Sequence, residues 1–379
     1  MRDRLLTMPV RFYRLACKFE ISVEPRHTYI WLGGLSENMN EALTLLEDLL
    51  NNAKGDDATY QQYLSVLDKQ RRDMRDDPDK CLWAIRNYCL FGQYNETCNR
   101  LSASQLRSSA TPQMLATMIG GLGKYAHTVV YYGPMSAQQF DAAISKSHKT
   151  PTEFLPTPEA KHYTVLTTDT AKVLLVRQET PSTLIFMSLG ESRDWQPEKT
   201  ALRRLFNAYM FDDLNSILFQ ELRESRGLVY TCGGGYFGID YKGEKEYAEM
   251  GALTQADKVE DCLKCMKATA DSLPQSKNLF LAAKERLTQL ISTERTTRFN
   301  LLKKWLYATN LGIDYDMNER VYQKLPSVTL NDIIEYGRER LTGKTWRIVI
   351  FGNERATRIQ PLQKFGAVEQ VPIDDVFGK

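Results

Sequence analysis

The chain repeats itself, and no other feature limits its fold as strongly. Tyr29-Ile30-Trp31-Leu32-Gly33-Gly34-Leu35 is echoed 218 positions later by Tyr247-Ala248-Glu249-Met250-Gly251-Ala252-Leu253, both of the form Y-x-x-[LM]-G-x-L. Each run leads into an amphipathic pattern that predicts a helix, over Met39–Leu50 and over Lys258–Leu273. A second echo lies further on. Ala110-Thr111-Pro112 opens a predicted helix that leads to a predicted strand, Thr128–Tyr132, and Gly133. Ser327-Val328-Thr329 opens one that leads to Arg347–Phe351 and Gly352. Thr111 and Thr329 stand 218 positions apart, Gly133 and Gly352 stand 219 apart. Two independent matches at nearly one offset indicate a duplicated domain.

The second copy gives the order of elements. Strands are predicted at His162–Thr168, Lys172–Arg177 and Thr183–Leu189, followed by a helix that runs to about Leu222. A hairpin from Tyr230 to Gly251, the helix Lys258–Leu273, a helical pair from Ser276 to Leu311, a helix Thr329–Leu341 and the strand Arg347–Phe351 complete it. This pattern predicts an α+β domain whose mostly antiparallel sheet is flanked by helices. Pro134, Pro151, Pro156 and Pro158 mark an interdomain connection, with a short helix at Ala137–Ser147. The expected organisation is therefore tandem homologous domains, 1–135 and 161–379, joined by a linker at 136–160. At this offset a complete first copy would begin about 58 positions before Met1, so the first domain is expected to be incomplete at its N-terminus. Uncovered sheet edges in such a domain would invite self-association into a homo-oligomer.

Within the second copy, Leu218–Tyr230, LFQELRESRGLVY, is the run richest in chemistry. Leu205, Phe206, Tyr209, Leu214, Ile217, Leu218 and Leu222 recur at mostly helical spacing, Gly227 breaks the pattern, and Leu228-Val229-Tyr230 reads as a strand start. Arg223 and Tyr230 thus flank a helix-to-strand corner. A guanidinium and a phenol placed there can converge on a peptide carbonyl or a developing oxyanion. The same residues also fit an arginine capping helix carbonyls and a tyrosine packed on a sheet.

Composition excludes several classes. Net charge is +2 with both signs interspersed, which gives no electrostatic footprint for nucleic acid or anionic lipid. No apolar stretch approaches the width of a bilayer, and MRDRLLTMPVRFY lacks a signal-peptide core. The mixed-charge run Lys69–Lys80 reads as a solvated helix face ending in a turn at Pro78. Seven scattered cysteines do not form a disulfide framework, and Cys262 and Cys265 share one face of a predicted helix as small hydrophobes. Unpaired thiols favour the cytoplasm, with a periplasmic location as the alternative.

LFQELRESRGLVY, the repeat, and the strand endings VVYYG and VIFG resemble the pitrilysin/insulinase family of zinc peptidases, the inverzincins, across essentially the whole chain. Arg223, Leu228 and Tyr230 fall on the matching positions of the family signature, while Val229 stands where a smaller residue is usual. The resemblance implies paired domains of the mitochondrial-processing-peptidase type. It also implies a zinc-bearing N-terminal half with H-x-x-E-H and a C-terminal half without zinc, which supplies the arginine and tyrosine to the peptide substrate. Arg223 and Tyr230 are thereby implied as substrate-binding residues.

The zinc motif itself is absent. None of His27, His127, His148 and His162 belongs to an H-x-x-E-H or its inverse, and the segment ALRRLFNAYMFDDLN, where the second copy would carry it, has no histidine. Asp212 and Asp213 are next neighbours and point apart on a helix. Gly233-Gly234-Gly235 lacks the lysine and hydroxyl of a phosphate loop. The expectation is a C-terminal half of a pitrilysin-like metallopeptidase, inactive alone, with no catalytic or metal-binding residue of its own. Zinc is expected in the missing N-terminal half or in a partner subunit. The rival expectation is a non-catalytic structural or interaction subunit of the same fold.

Overall fold

The computed structural model describes residues 2–24, 26–76 and 78–378, and the backbone alone at 2–7, 76, 78–80 and 192. The chain divides into two compact units, Met1–Gln70 with Leu101–His162 and Arg71–Arg100 with Tyr163–Lys379.

In the first unit, β1 (Cys17–Val23) and β2 (Thr28–Gly34) form an antiparallel hairpin, Cys17 opposite Gly34 and Val23 opposite Thr28. The helix Met39–Asn52 lays Ala42, Leu45 and Leu46 against Phe12 and Cys17, with Phe19, Ile30 and Leu32 packed around them. Further helices span Asp57–Asp76, of which residues to Gln70 belong to this unit, Ala103–Ser109, Pro112–Gly120 and Ala137–Ser147. Two begin with reciprocal capping boxes, Ser102 with Gln105 and Ser136 with Gln139, and Thr111 caps a third ahead of Pro112. The short helix read in the connection thus has the predicted bounds.

The predicted strand Thr128–Tyr132 does not form; among the described residues no strand pairs with it, and Val129 and Tyr132 are exposed. Its counterpart in the second unit is hydrogen-bonded on both sides. Propensity alone does not make a strand without a partner.

The second unit is built on a six-stranded sheet of order β5-β6-β4-β7-β3-β8. Its strands are β3 (Lys172–Arg177), β4 (Thr183–Asp194), β5 (Val229–Phe237), β6 (Lys245–Thr254), β7 (Arg347–Gly352) and β8 (Ala367–Val371). Pairings β5–β6, β6–β4 and β4–β7 are antiparallel, whereas β3 runs parallel to both β7 and β8.

Central strands here read as unbroken apolar runs, VLLV, LIFM and IVIF, because both faces of the sheet are covered. Val173, Leu175, Ile185, Met187, Ile348 and Ile350 face the large core with helices Thr200–Met210, Val259–Ser272, Lys277–Thr293 and Leu330–Leu341. Leu174, Val176, Leu184, Phe186, Val349 and Phe351 face the other way, onto the helix Pro78–Phe91. That helix presents Cys81, Ala84, Ile85, Tyr88 and Cys89, a stripe at spacings of three and four. Beside it Arg86 Nε lies 2.8 Å from the Glu249 carboxylate, and its Nη2 donates to Tyr247 Oη at 3.1 Å. Burial pushes the Glu249 carboxyl up, opposed by Arg86.

Two expected elements differ. His162–Thr168 is not a strand; the Leu166 N–H donates to the carbonyl of Leu90 at the end of the covering helix, 2.8 Å away. The helix expected to continue to Leu222 stops at Met210, where Phe211 and Asp212 N–H both bond the Asn207 carbonyl and Asp213 takes a left-handed φ of 75°. A new helical turn starts at Ile217, capped by Ser216 Oγ. Cys262 and Cys265 are buried packing residues, as their spacing predicts.

Replacing Arg86 by Ala should leave Glu249 buried without its cation and cost about 3–5 kcal/mol in urea unfolding. Gly337→Ala would bring a Cβ within 2.4 Å of the Phe206 ring where helices Leu330–Leu341 and Thr200–Met210 touch. Such overpacking should cost about 1–3 kcal/mol. Loss of less than about 0.5 kcal/mol in either variant would contradict this account of the core.

Candidate functional site

The segment from Ser216 to Tyr236 is locally irregular at two points, and both govern the predicted pair. After the turn Ile217–Phe219 the helix widens to π spacing over Gln220–Glu224, with Ser225 N–H donating to the Gln220 carbonyl at 2.9 Å. Such widened turns often occur at functional sites. Leu222 points into the core and Arg223 out to solvent. Gly227 ends the helix at a φ of 57°; its N–H donates to the Arg223 carbonyl at 2.9 Å, and the Leu228 N–H reaches the Leu222 carbonyl at 2.8 Å. Lys258 Nζ donates to the Gly227 carbonyl at 2.9 Å and Thr254 Oγ1 to that of Leu228 at 2.6 Å, which pins the corner to the neighbouring strand.

The second irregularity is a bulge at the start of β5. Val229 pairs with Thr254 and Thr231 with Leu253, so Tyr230 is an extra residue with no opposite number. A bulge re-aims a side chain. Along β5 the even positions Cys232, Gly234 and Tyr236 lie on the face of the helix layer, where Tyr236 is fully buried. Continuing that parity would bury Tyr230. Instead Val229 is buried at 7% exposure and Tyr230 stands at 76%.

The structure therefore places Arg223 and Tyr230 in solvent on either side of the Gly227 corner. Among the described residues, neither is held by a hydrogen bond or an ion pair; Arg223 lies over the Phe219 ring with Cζ 5.0 Å from its centroid. Its charge reaches β5, because it opposes the burial that pushes the Cys232 thiol up to about 12. A neutral thiol there is a packing group and not a nucleophile. β5 is the end strand of the sheet, so its outer backbone edge has no strand partner among the described residues. Arg226 is engaged elsewhere, with the Glu221 side chain.

Asp212 and Asp213 do not lie on a helix as expected, but in the bend that follows Met210. Arg286 binds Asp213 Oδ2 at 3.2 Å, while burial pushes the Asp212 carboxyl up against the pull of the same arginine. Among the described residues no group of three or more His, Cys, Asp or Glu side chains is arranged to hold a metal ion, and the helix Thr200–Met210 carries no histidine. The zinc of a peptidase has no fitting donor set in this part of the chain. What sequence reasoning missed is a meeting of His127 with His148 in the first unit, at Nε2–Nε2 2.8 Å. No spacing signal could have found it, since the contact depends on how a loop returns to a helix.

The corner makes its own energetic prediction. A Cβ at Gly227 meets nothing within 4 Å, so Gly227→Ala should cost only the left-handed conformational penalty, about 1–2 kcal/mol in urea unfolding. Arg223→Ala and Tyr230→Phe, both at exposed positions, should change stability by less than about 0.5 kcal/mol.

Residues 127–287 match the family described as the peptidase M16 inactive domain. A search of curated protein sequences gives no match. Solved structures share the fold. A conserved protein from Enterococcus faecalis superposes with a TM-score of 0.74 at 14% identity, over 92% of this chain and 85% of that one. A peptidase M16 inactive domain from Pseudomonas fluorescens gives 0.68 at 13% identity, over 91% and 83%. The ferredoxin protease FusC, solved as a mutant in complex with Arabidopsis ferredoxin, gives 0.68 at 13% identity over 92% of this chain but only 38% of its own. The mixed α+β fold and the family match over residues 127–287 agree with the resemblance read from the sequence: that stretch matches the inactive domain of the M16 peptidases, and the chain as a whole shares their fold.

Proposed function

We propose that this chain is the substrate-contacting half of a zinc metallopeptidase of the pitrilysin type, inert by itself. The zinc-bearing half is supplied by another part of the protein or by a partner subunit. The observation that carries the reading is the pair of exposed polar side chains, Arg223 and Tyr230, on a rigidly pinned corner beside the free edge of β5. An extended peptide can add to such an edge through main-chain hydrogen bonds. Arg223 and Tyr230 would then donate to its carbonyl oxygens, and more strongly to an oxygen that gains charge during hydrolysis. The zinc, when bound by its own half, supplies the activated water; the residues of this chain bind and orient the substrate.

The division into two homologous domains belongs to the same reading. Helices begin at Met39, Asp57 and Pro78 in the first half and at Val259, Lys277 and Arg298 in the second, each pair 220 positions apart, and this supports duplication. The ferredoxin bound to a protease of the same fold supports proteins as the substrate class.

In a mixture with the zinc-bearing half, Arg223→Ala and Tyr230→Phe should each lower kcat/KM by about a hundredfold to a thousandfold while leaving co-elution of the halves unchanged. The chain alone should show no chelator-sensitive proteolysis. Wild-type turnover in both variants would support the rival reading, a non-catalytic interaction subunit.

A further inference from the structure

In the first unit, four residues from three separate segments of the chain form a single line of hydrogen-bonding groups. The Tyr125 carbonyl lies 2.7 Å from His127 Nδ1, His127 Nε2 lies 2.8 Å from His148 Nε2, and His148 Nδ1 lies 2.7 Å from Glu47 Oε1. The other oxygen of Glu47 accepts from Asn51 Nδ2 at 3.3 Å. The line is held by regular elements. Glu47 belongs to the helix Met39–Asn52, His148 caps the helix Ala137–Ser147, and Leu155 N–H fixes the His127 loop by donating to Lys124 O at 2.9 Å.

The chemistry of this line is unbalanced at its centre. A backbone carbonyl only accepts, so His127 must carry its proton on Nδ1; a carboxylate accepts as well, so His148 must do the same. In the neutral form each ring then presents a bare lone pair at Nε2, and the two lone pairs face each other at 2.8 Å. Two acceptors at that distance repel unless they share a proton along the line or bind one metal ion lying to its side, since 2.8 Å leaves no room for a metal between them. A carbonyl on one Nδ1 and a carboxylate on the other is the outer-shell arrangement that orients metal-ligating imidazoles. Two nitrogens bound at about 2.0–2.1 Å to one ion stand about 2.9 Å apart at a right angle and about 3.4 Å apart at a tetrahedral one, so the observed 2.8 Å fits a right-angled pair of ligands. The rings meet edge to face at 81° with centroids 4.9 Å apart, and the His148 side chain retains 18% exposure, enough for an ion to enter.

We propose that His127 and His148 form a two-imidazole site for one divalent transition-metal ion of the copper, nickel or zinc type. Water completes the coordination, and Glu47 orients His148 and offsets the charge. The site is separate from the peptidase zinc, whose motif this chain lacks, and it does not rest on the reading of Arg223 and Tyr230. A bound ion would clamp the loop at His127 and the end of the helix Ala137–Ser147 together, with Glu47 tying the pair to the helix Met39–Asn52.

The test is calorimetric titration of the full chain with Cu²⁺, Ni²⁺, Zn²⁺ and Mg²⁺ separately, with circular dichroism confirming the fold of each variant. One ion per chain is expected, tightest for Cu²⁺ and undetectable for Mg²⁺. His127→Ala and His148→Ala should each abolish it, Glu47→Gln should weaken it by about 10–100-fold, and His162→Ala should leave it unchanged. Should an alanine variant unfold, imidazole ¹⁵N spectra of the unaltered protein decide: Zn²⁺ should move the Nε2 signals of both rings. Binding that survives both histidine substitutions, no binding at millimolar ion, or Nε2 signals indifferent to Zn²⁺ because the rings share a proton would each overturn the proposal.

Discussion

The second unit depends on covering both faces of one sheet. Because β3, β4 and β7 carry consecutive large apolar residues, the sheet cannot leave either face wet; leaving Leu174, Val176, Leu184, Phe186, Val349 and Phe351 in water would forfeit about 1.5–3 kcal/mol for each. The helix Pro78–Phe91 removes that surface from solvent with small and medium side chains that let it lie close. Arg86 gives the contact a register, since its guanidinium meets Glu249 and Tyr247 on β6 only in one position along the helix. Glu249 belongs to the Y-x-x-[LM]-G-x-L run itself, so the repeated motif serves packing here, not chemistry.

With both faces closed, only the ends of the sheet remain available. At one end, the segment leading into β5 carries two departures from regular backbone within a dozen residues, a widened helical turn and a strand bulge. The left-handed Gly227 ends the helix two residues before β5, and the unmatched Tyr230 lets Val229 reach the core while its own ring leaves it. Hydrogen bonds from Lys258 and Thr254 hold the backbone between them. The result is a stiff mount for two exposed side chains that, among the described residues, make no hydrogen bond or ion pair, which suits groups whose partner is not part of the fold.

Much of this was legible in the sequence. The elements with internal signals kept nearly their predicted bounds: the capped helix Ala137–Ser147, the strand Lys172–Arg177, the hairpin after Tyr230, and the helix after Lys258. What failed required knowledge of partners. Thr128–Tyr132 has strand propensity but nothing beside it, and His162–Thr168 gives its hydrogen bond to a helix end. The break at Asp213 was hidden because the apolar spacing continues through it. The bulge at Tyr230 is a property of two strands, invisible in either alone. His127, His148 and Glu47 come together across 21 and 101 positions, where no periodicity operates.

The covering helix also determines how the polypeptide is threaded. Residues 71–100 are embedded in one compact unit while the segments before and after them, 1–70 and 101–162, build the other. The chain thus crosses between units three times, not once. A protease that nicked the proline-rich stretch 136–160 would break a covalent link and yet leave Ile85 and Tyr88 buried under the sheet of the C-terminal fragment. The two fragments would migrate as one particle in native conditions and part only on denaturation.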